Sequence, residues 1–193
     1  MNDYFKYDDK QLIALMCEKH PVCNEAFNVV YYRYSEQLKS YCLFRTDNQE
    51  DAKELNQETW LKFHLAVQSG KIGISLPTYL YTIAHSIIVD KFRVQINHIF
   101  YNDGSFDFAQ FSDPFNLQTN VEERDLISIV SLALNQLPEI YRETFILKWF
   151  NGLNYNQIAE IVGESVDCIK KRSIRAFDEM LNILKPIISE LKK

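Results

Sequence analysis

The stretch "NYNQIAEIVGESVDCIKKRSIRAF", residues 154–177, decides the fold class. Tyr155, Ile158, Ala159 and Val162 make a short apolar stripe at helical spacing. "GES" supplies a tight turn, with Gly163 where a positive φ is easiest. Ser165 is placed to cap a following helix, and Asp167 suits its first turn. At about 100° per residue, Val166, Ile169, Ser173, Ala176, Phe177, Met180 and Leu184 fall on one buried side of that helix. Lys171 and Arg175 fall opposite, beside Asp167 and Cys168, with Lys170 and Arg172 flanking. Short helix, glycine turn, capped second helix with cations on its first half: this is the pattern of a helix-turn-helix that meets duplex DNA.

The rest of the chain agrees with helices. Its 193 residues are 47% hydrophobic, enough for real cores, with only five Gly and five Pro. Helical spacing is read over roughly 8–18, 24–44, 47–68, 76–96, 121–136, 139–151, 155–162 and 166–184. From about 97 to 120, "NHIFYNDGSFDFAQFSDPFNLQTN" loses periodicity and reads as a linker, its aromatics suited to a partner's groove or to packing on its own domain. The expectation is an all-α chain of two small helical domains joined by a linker, the C-terminal one a helix-turn-helix.

Charge separates the two ends. The chain carries −5 overall, yet residues 165–193 hold seven Lys/Arg against four acids, so residues 1–164 carry −8. The overall acidity argues against a general nucleic-acid coat, and the two ends face different electrostatic partners. Glu50, Glu54 and Glu58 repeat at i, i+4, i+8, a mutually repulsive spacing that a basic partner surface would relieve. On the next helix, Leu80, Ile83, Ala84, Ile87 and Ile88 form the apolar stripe. Thr78, Tyr79, Thr82, His85, Ser86 and Arg93 lie off it, a mixture of π faces, hydroxyls and a cation that suits a single nucleic-acid strand.

No nucleophile–base pattern, Gly-rich phosphate loop or HExxH pair is present, so no enzyme activity and no cofactor are expected. Cys17, His20 and Cys23 in "CEKHPVC" lack a fourth ligand and read as ordinary thiols and imidazole, not a zinc site. The polar start and the lack of an 18-residue apolar run point to a cytoplasmic protein without membrane insertion.

The segment from Leu134 to Leu181 resembles the promoter-binding domain of extracytoplasmic-function (ECF) sigma factors of the sigma-70 family. The matching residues are Leu137-Pro138, Arg142, Gly152-Leu153-Asn154-Tyr155, Ile158-Ala159-Glu160, Gly163, Val166, Ile169-Lys170, Arg172 and Arg175-Ala176. "AFNVVYYRYSEQL", "DAKELNQETWLKFHLAV" and "LPTYLYTIAHSIIVDKFR" resemble that family's other domain, in its order. The sequence departs from the family's usual residues at Cys168 (Thr), Tyr79 (Trp) and His85-Ser86 (Arg-Asn).

The resemblance implies a division at 1–96 (sigma region 2), 97–120 (linker) and 121–193 (sigma region 4). Residues 1–96 would bind the clamp helices of the core RNA polymerase large subunit through Glu54, Gln57, Glu58 and Trp60. They would hold the melted strand of the −10 element through Tyr79, Thr82, His85, Ser86 and Arg93, with a flipped base near "KIGIS". The helix-turn-helix would read the −35 duplex through Cys168, Lys170, Lys171, Ile174 and Arg175, with Arg172 on the backbone or the fold. The implied function is promoter-specific initiation of transcription, with core RNA polymerase and promoter DNA as partners and an anti-sigma factor as a further candidate. The rival reading is a stand-alone helix-turn-helix regulator binding a palindromic site without polymerase.

Overall fold

Asp8 starts the first helix by accepting the Gln11 N–H at 2.8 Å, while the Gln11 side chain takes the Asp8 N–H at 2.9 Å. In the computed structural model, which describes residues 4–46, 48–70, 72–101 and 121–191, this helix is α1 (Asp9–Met16). There follow α2 (Val22–Arg45), α3 (Gln49–Gln68), α4 (Leu76–Tyr101), α5 (Val121–Gln136), α6 (Glu139–Phe145), α7 (Tyr155–Val162) and α8 (Val166–Leu191). No strand occurs among the described residues. The chain forms two compact units, the first containing α1–α4 and the second α5, α6, α8 and most of α7.

In the first unit, α2 packs against α1 and α3, and α3 against α4. Asn48 caps α3 by accepting the Asp51 N–H at 2.8 Å. Leu12, Leu38, Leu55, Phe63, Leu80 and Ile88 are fully enclosed between these helices. Removing such a side chain from water is worth about 1.5–3 kcal/mol each. Tyr41 and Tyr81 meet edge to face inside the same core, centroids 5.2 Å apart.

In the second unit, α6 runs into a π-helical turn, Ile146–Phe150, closed by the Asn151 N–H on the Ile146 carbonyl. Gly152 (φ +67°) ends it, a conformation that costs glycine nothing. The ammonium of Lys148 donates to the Leu153 carbonyl at 3.2 Å and lies 4.7 Å from the Tyr155 ring centroid, tying this turn to α7. Leu134, Ile146, Leu147, Ile158 and Ile169 form the enclosed core.

Two expected boundaries shift. The helix read as ending near residue 96 continues to Tyr101, since no Gly or Pro intervenes before Gly104. The last helix, read as ending at Leu184, runs to Leu191 through Pro186. Proline removes one ladder donor, and here the helix surface is exposed at Lys185 and Pro186, so water can serve the freed carbonyl. The remainder of the expected linker lies outside the described residues, as does Lys71 of "KIGIS".

Candidate functional site

The turn between α7 and α8 is fixed from both sides. Asn154 and Gln157 form a reciprocal capping box at the start of α7, both bonds 3.0 Å. Gly163 closes α7 at φ +71°, and the Glu164 N–H returns to the Ala159 carbonyl at 3.0 Å. The Ser165 hydroxyl then accepts the Cys168 N–H at 3.2 Å, capping α8.

Turned this way, α8 buries Ile169, Ser173, Ala176 and Met180, as its periodicity predicts. Phe177, expected in the core, is instead 40% exposed and rests on Trp149, centroids 5.6 Å apart. The π turn carries Trp149 and Phe150 outward, which gives Phe177 an aromatic surface to lie on outside the core.

Lys171, Ile174 and Arg175 stand exposed on the first half of α8. Lys171 and Arg175 make no ion pair among the described residues. Lys170 is exposed and 3.5 Å from Asp167. Arg172 differs: its side chain is only 14% exposed and donates to Glu164 at 3.1 Å and to the Cys168 sulfur at 3.6 Å. It holds the turn. Cys168 is half-buried beside it.

On α3, Glu54 and Gln57 are exposed and Glu58 is half-exposed. Trp60, which the resemblance puts at the polymerase, is 7% exposed, enclosed by Phe27, Tyr31 and Phe63 at 5.0–5.8 Å between centroids. Its indole lies beneath this face. Beside it, Leu61 and Leu65, which sequence reasoning did not single out, are 59% and 57% exposed. They continue the Glu54–Glu58 stripe at i+7 and i+11, a spacing legible in the sequence. The carboxylate repulsion also has an internal remedy. Lys91 of α4 lies 3.4 Å from Glu54 and 3.9 Å from Asp51, and Lys62 lies 2.8 Å from Glu58.

On α4, Ser86 and Arg93 are exposed, and Tyr79, Thr82 and His85 are half-buried. Arg93 lies 3.8 Å from Asp90. Tyr79 leans on Phe63, centroids 6.4 Å apart. The Thr82 hydroxyl donates to the Thr78 carbonyl at 2.8 Å. Thr78, expected off the apolar stripe, is buried, with its hydroxyl 2.6 Å from that of Ser75. It completes the start of α4 and is not available to a strand.

The Cys17 thiol donates to the Val67 carbonyl at 3.4 Å, and His20 pairs with Asn24 at 2.8 Å. Among the described residues, no group of three His, Cys, Asp or Glu is placed to hold a metal ion. No described helix is long and apolar enough to cross a membrane.

Residues 30–95 match the family model "Sigma-70 region 2", and residues 127–186 match "Sigma-70, region 4". The chain is 29% identical over 155 residues to the RNA polymerase sigma factor YlaC of Bacillus subtilis, covering 76% of this chain and 85% of that one. It is also 29% identical over 147 residues to the ECF RNA polymerase sigma factor EcfG of Rhodopseudomonas palustris, covering 76% and 78%. The fold is like that of the sigma factor RpoE from Bartonella quintana, solved in complex with the anti-sigma factor NepR. The TM-score is 0.69 and the identity 24%, over 82% of this chain and 96% of that one. Both sigma regions are present in order, and the reading as a stand-alone regulator gives way. The chain belongs to the sigma-70 family of RNA polymerase sigma factors, as a member of its extracytoplasmic-function group.

Proposed function

We propose a division of labour for this sigma factor in which α3 grips core RNA polymerase, α4 holds the melted −10 strand and α8 reads the −35 duplex. The observation that carries it is segregation of exposed chemistry. Lys171 and Arg175, which make no ion pair among the described residues, stand on α8 inside the region 4 match. The exposed acidic and apolar stripe of Glu54, Gln57, Glu58, Leu61 and Leu65 stands on α3 inside the region 2 match. A basic and apolar partner surface such as the polymerase clamp helices suits the second. The phosphates and base edges of a major groove suit the first, with Lys170 and Ile174 beside them.

On α4, Tyr79, Thr82, His85, Ser86 and Arg93 offer stacking, hydrogen bonding and charge to a single strand. Cys168 and Arg172 act behind the reading surface, as the support of its turn. Residues 1–96 would serve as region 2 and 121–193 as region 4, with 97–120 connecting them, its first residues 97–101 belonging to α4. The chain carries out no reaction itself; RNA synthesis belongs to the polymerase. Its place of work is the bacterial cytoplasm, at the nucleoid. An inhibitory protein of the anti-sigma class, like that solved with the RpoE of Bartonella quintana, is a proposed partner.

Purified chain added to core RNA polymerase, followed by mapping of transcript starts on genomic DNA, tests the whole reading. Starts should appear at a shared promoter sequence only when the chain is present. A chain that neither binds core polymerase nor directs initiation contradicts it.

A further inference from the structure

The Glu54 side chain is 71% exposed and so open to a partner, yet it already holds a cation. The ammonium of Lys91, from α4, lies 3.4 Å from Glu54 Oε2 and 3.9 Å from Asp51 Oδ1. Asp51 and Glu54 are neighbours on one face of α3, at i and i+3. Lys91 therefore answers two carboxylates from another helix, whereas the pair of Lys62 and Glu58 lies within α3.

Lys91 belongs to this seam and not to the side of α4 proposed to face the strand. At about 100° per residue it lies roughly 120–180° around the helix from Tyr79, Thr82, His85, Ser86 and Arg93. It lines one recess of about 40 Å³ with Asp51, Leu55, Ile88 and Phe92. Its side chain is 37% exposed, so the stem is partly sheltered while the charged head reaches water.

A second cation at Glu54 meets the first. An incoming lysine or arginine would stand within a few ångströms of the Lys91 ammonium, where like charges repel. Either Lys91 withdraws toward Asp51 and gives up its nearer partner, or the incoming charge is opposed. In both cases the internal pair subtracts from an association that the same carboxylate supports. Exposed pairs of this class shift an equilibrium by about two- to fivefold.

We propose that Lys91 is an intramolecular competitor for the polymerase-binding face. It occupies Glu54 in the free chain and holds the affinity for core RNA polymerase below what the acidic stripe alone would give. Removing its charge strengthens the complex. This rests on the reading that α3 grips core polymerase.

The full chain, its Lys91→Gln, Lys91→Arg and Glu54→Gln variants, and the Lys91→Gln/Glu54→Gln double variant are titrated into core RNA polymerase. At about 0.1 M salt, Lys91→Gln should bind about threefold more tightly than the natural chain. A misfolded variant cannot mimic that gain, and Gln suits a helix about as well as Lys. Lys91→Arg keeps the charge and should bind like the natural chain. In the Glu54→Gln background, Lys91→Gln should bring no gain. The gain should also vanish near 1 M salt, where charges are screened beyond about 3 Å. Unchanged or weaker binding by Lys91→Gln overturns the inference, weaker binding making Lys91 itself a polymerase contact. An equal gain with and without the Glu54 carboxylate overturns it as well, since net charge and not the pair would then be responsible. Both results leave the polymerase reading intact. If the natural chain and every variant fail to bind core polymerase, the underlying reading fails first and takes the inference with it.

Discussion

Arg172 reaches back from α8 to Glu164, Nη2 to Oε1 3.1 Å, and so clamps the turn on which the orientation of α8 depends. The guanidinium is largely shielded, and the same nitrogen lies 3.6 Å from the Cys168 sulfur. Replacing Arg172 with Ala should therefore act first on stability. The transition of the second unit in urea should lose about 0.5–1 kcal/mol, the smaller end reflecting the partial exposure of Glu164. Arg172→Lys should recover only part of it, having no planar fork.

Lys171→Ala combined with Arg175→Ala should do the opposite. Both side chains are exposed and make no ion pair among the described residues, so unfolding should be unchanged within about 0.5 kcal/mol. Promoter-dependent transcription should be lost while binding to core polymerase stays intact. Loss of polymerase binding by this double variant would refute the proposed division between the two units.

Glu54→Lys with Glu58→Lys should weaken capture of core polymerase at least tenfold, on the order of 1.4 kcal/mol. Leu61→Ala with Leu65→Ala should weaken it too, without changing any charge. The second pair matters because Lys91 and Lys62 already engage the two glutamates. An unchanged affinity in both variants would mean that this face of α3 is merely solvated.

Alkaline pH should loosen the first unit through Cys42. This thiol is fully enclosed, and burial pushes its ionisation up to about 12 from an ordinary value near 9. Below about pH 8.5 the thiol is neutral folded or unfolded, and its burial contributes in full. Above that, the unfolded chain releases the proton and the folded chain does not. Stability then falls by up to about 1.4 kcal/mol per pH unit toward pH 12. Cys42→Ala should be less stable than the natural chain at pH 8, and the gap between them in urea midpoints should narrow as pH rises.

The fold was legible where period and punctuation agreed. Gly152, Gly163, Asn154 and Ser165 announced the helix-turn-helix because each meets a backbone need that few residues can meet. Periodicity failed where two helices negotiate. Trp60, placed by the resemblance alone, lies under Phe27 and Tyr31 of α2, an enclosure that no spacing along α3 announces. Phe177 looked buried until a π turn in another helix moved Trp149 outward. Lys91 lies 37 residues from Glu54 in the chain, so no local spacing could pair them.

The engagement of cations within the second unit limits how it can hold DNA. Lys148 is committed to Leu153 and Tyr155, Arg142 to the carbonyls of Asn135 and Leu137, Arg172 to Glu164, and Lys170 lies beside Asp167. On the first half of α8 that leaves Lys171 and Arg175 with no ion pair among the described residues. If these two alone displaced condensed counterions from the duplex, the log–log dependence on salt would be only about −1.8. So shallow an ionic grip would make solitary residence on a chromosome brief, and durable occupancy would come from being carried there by a larger machine.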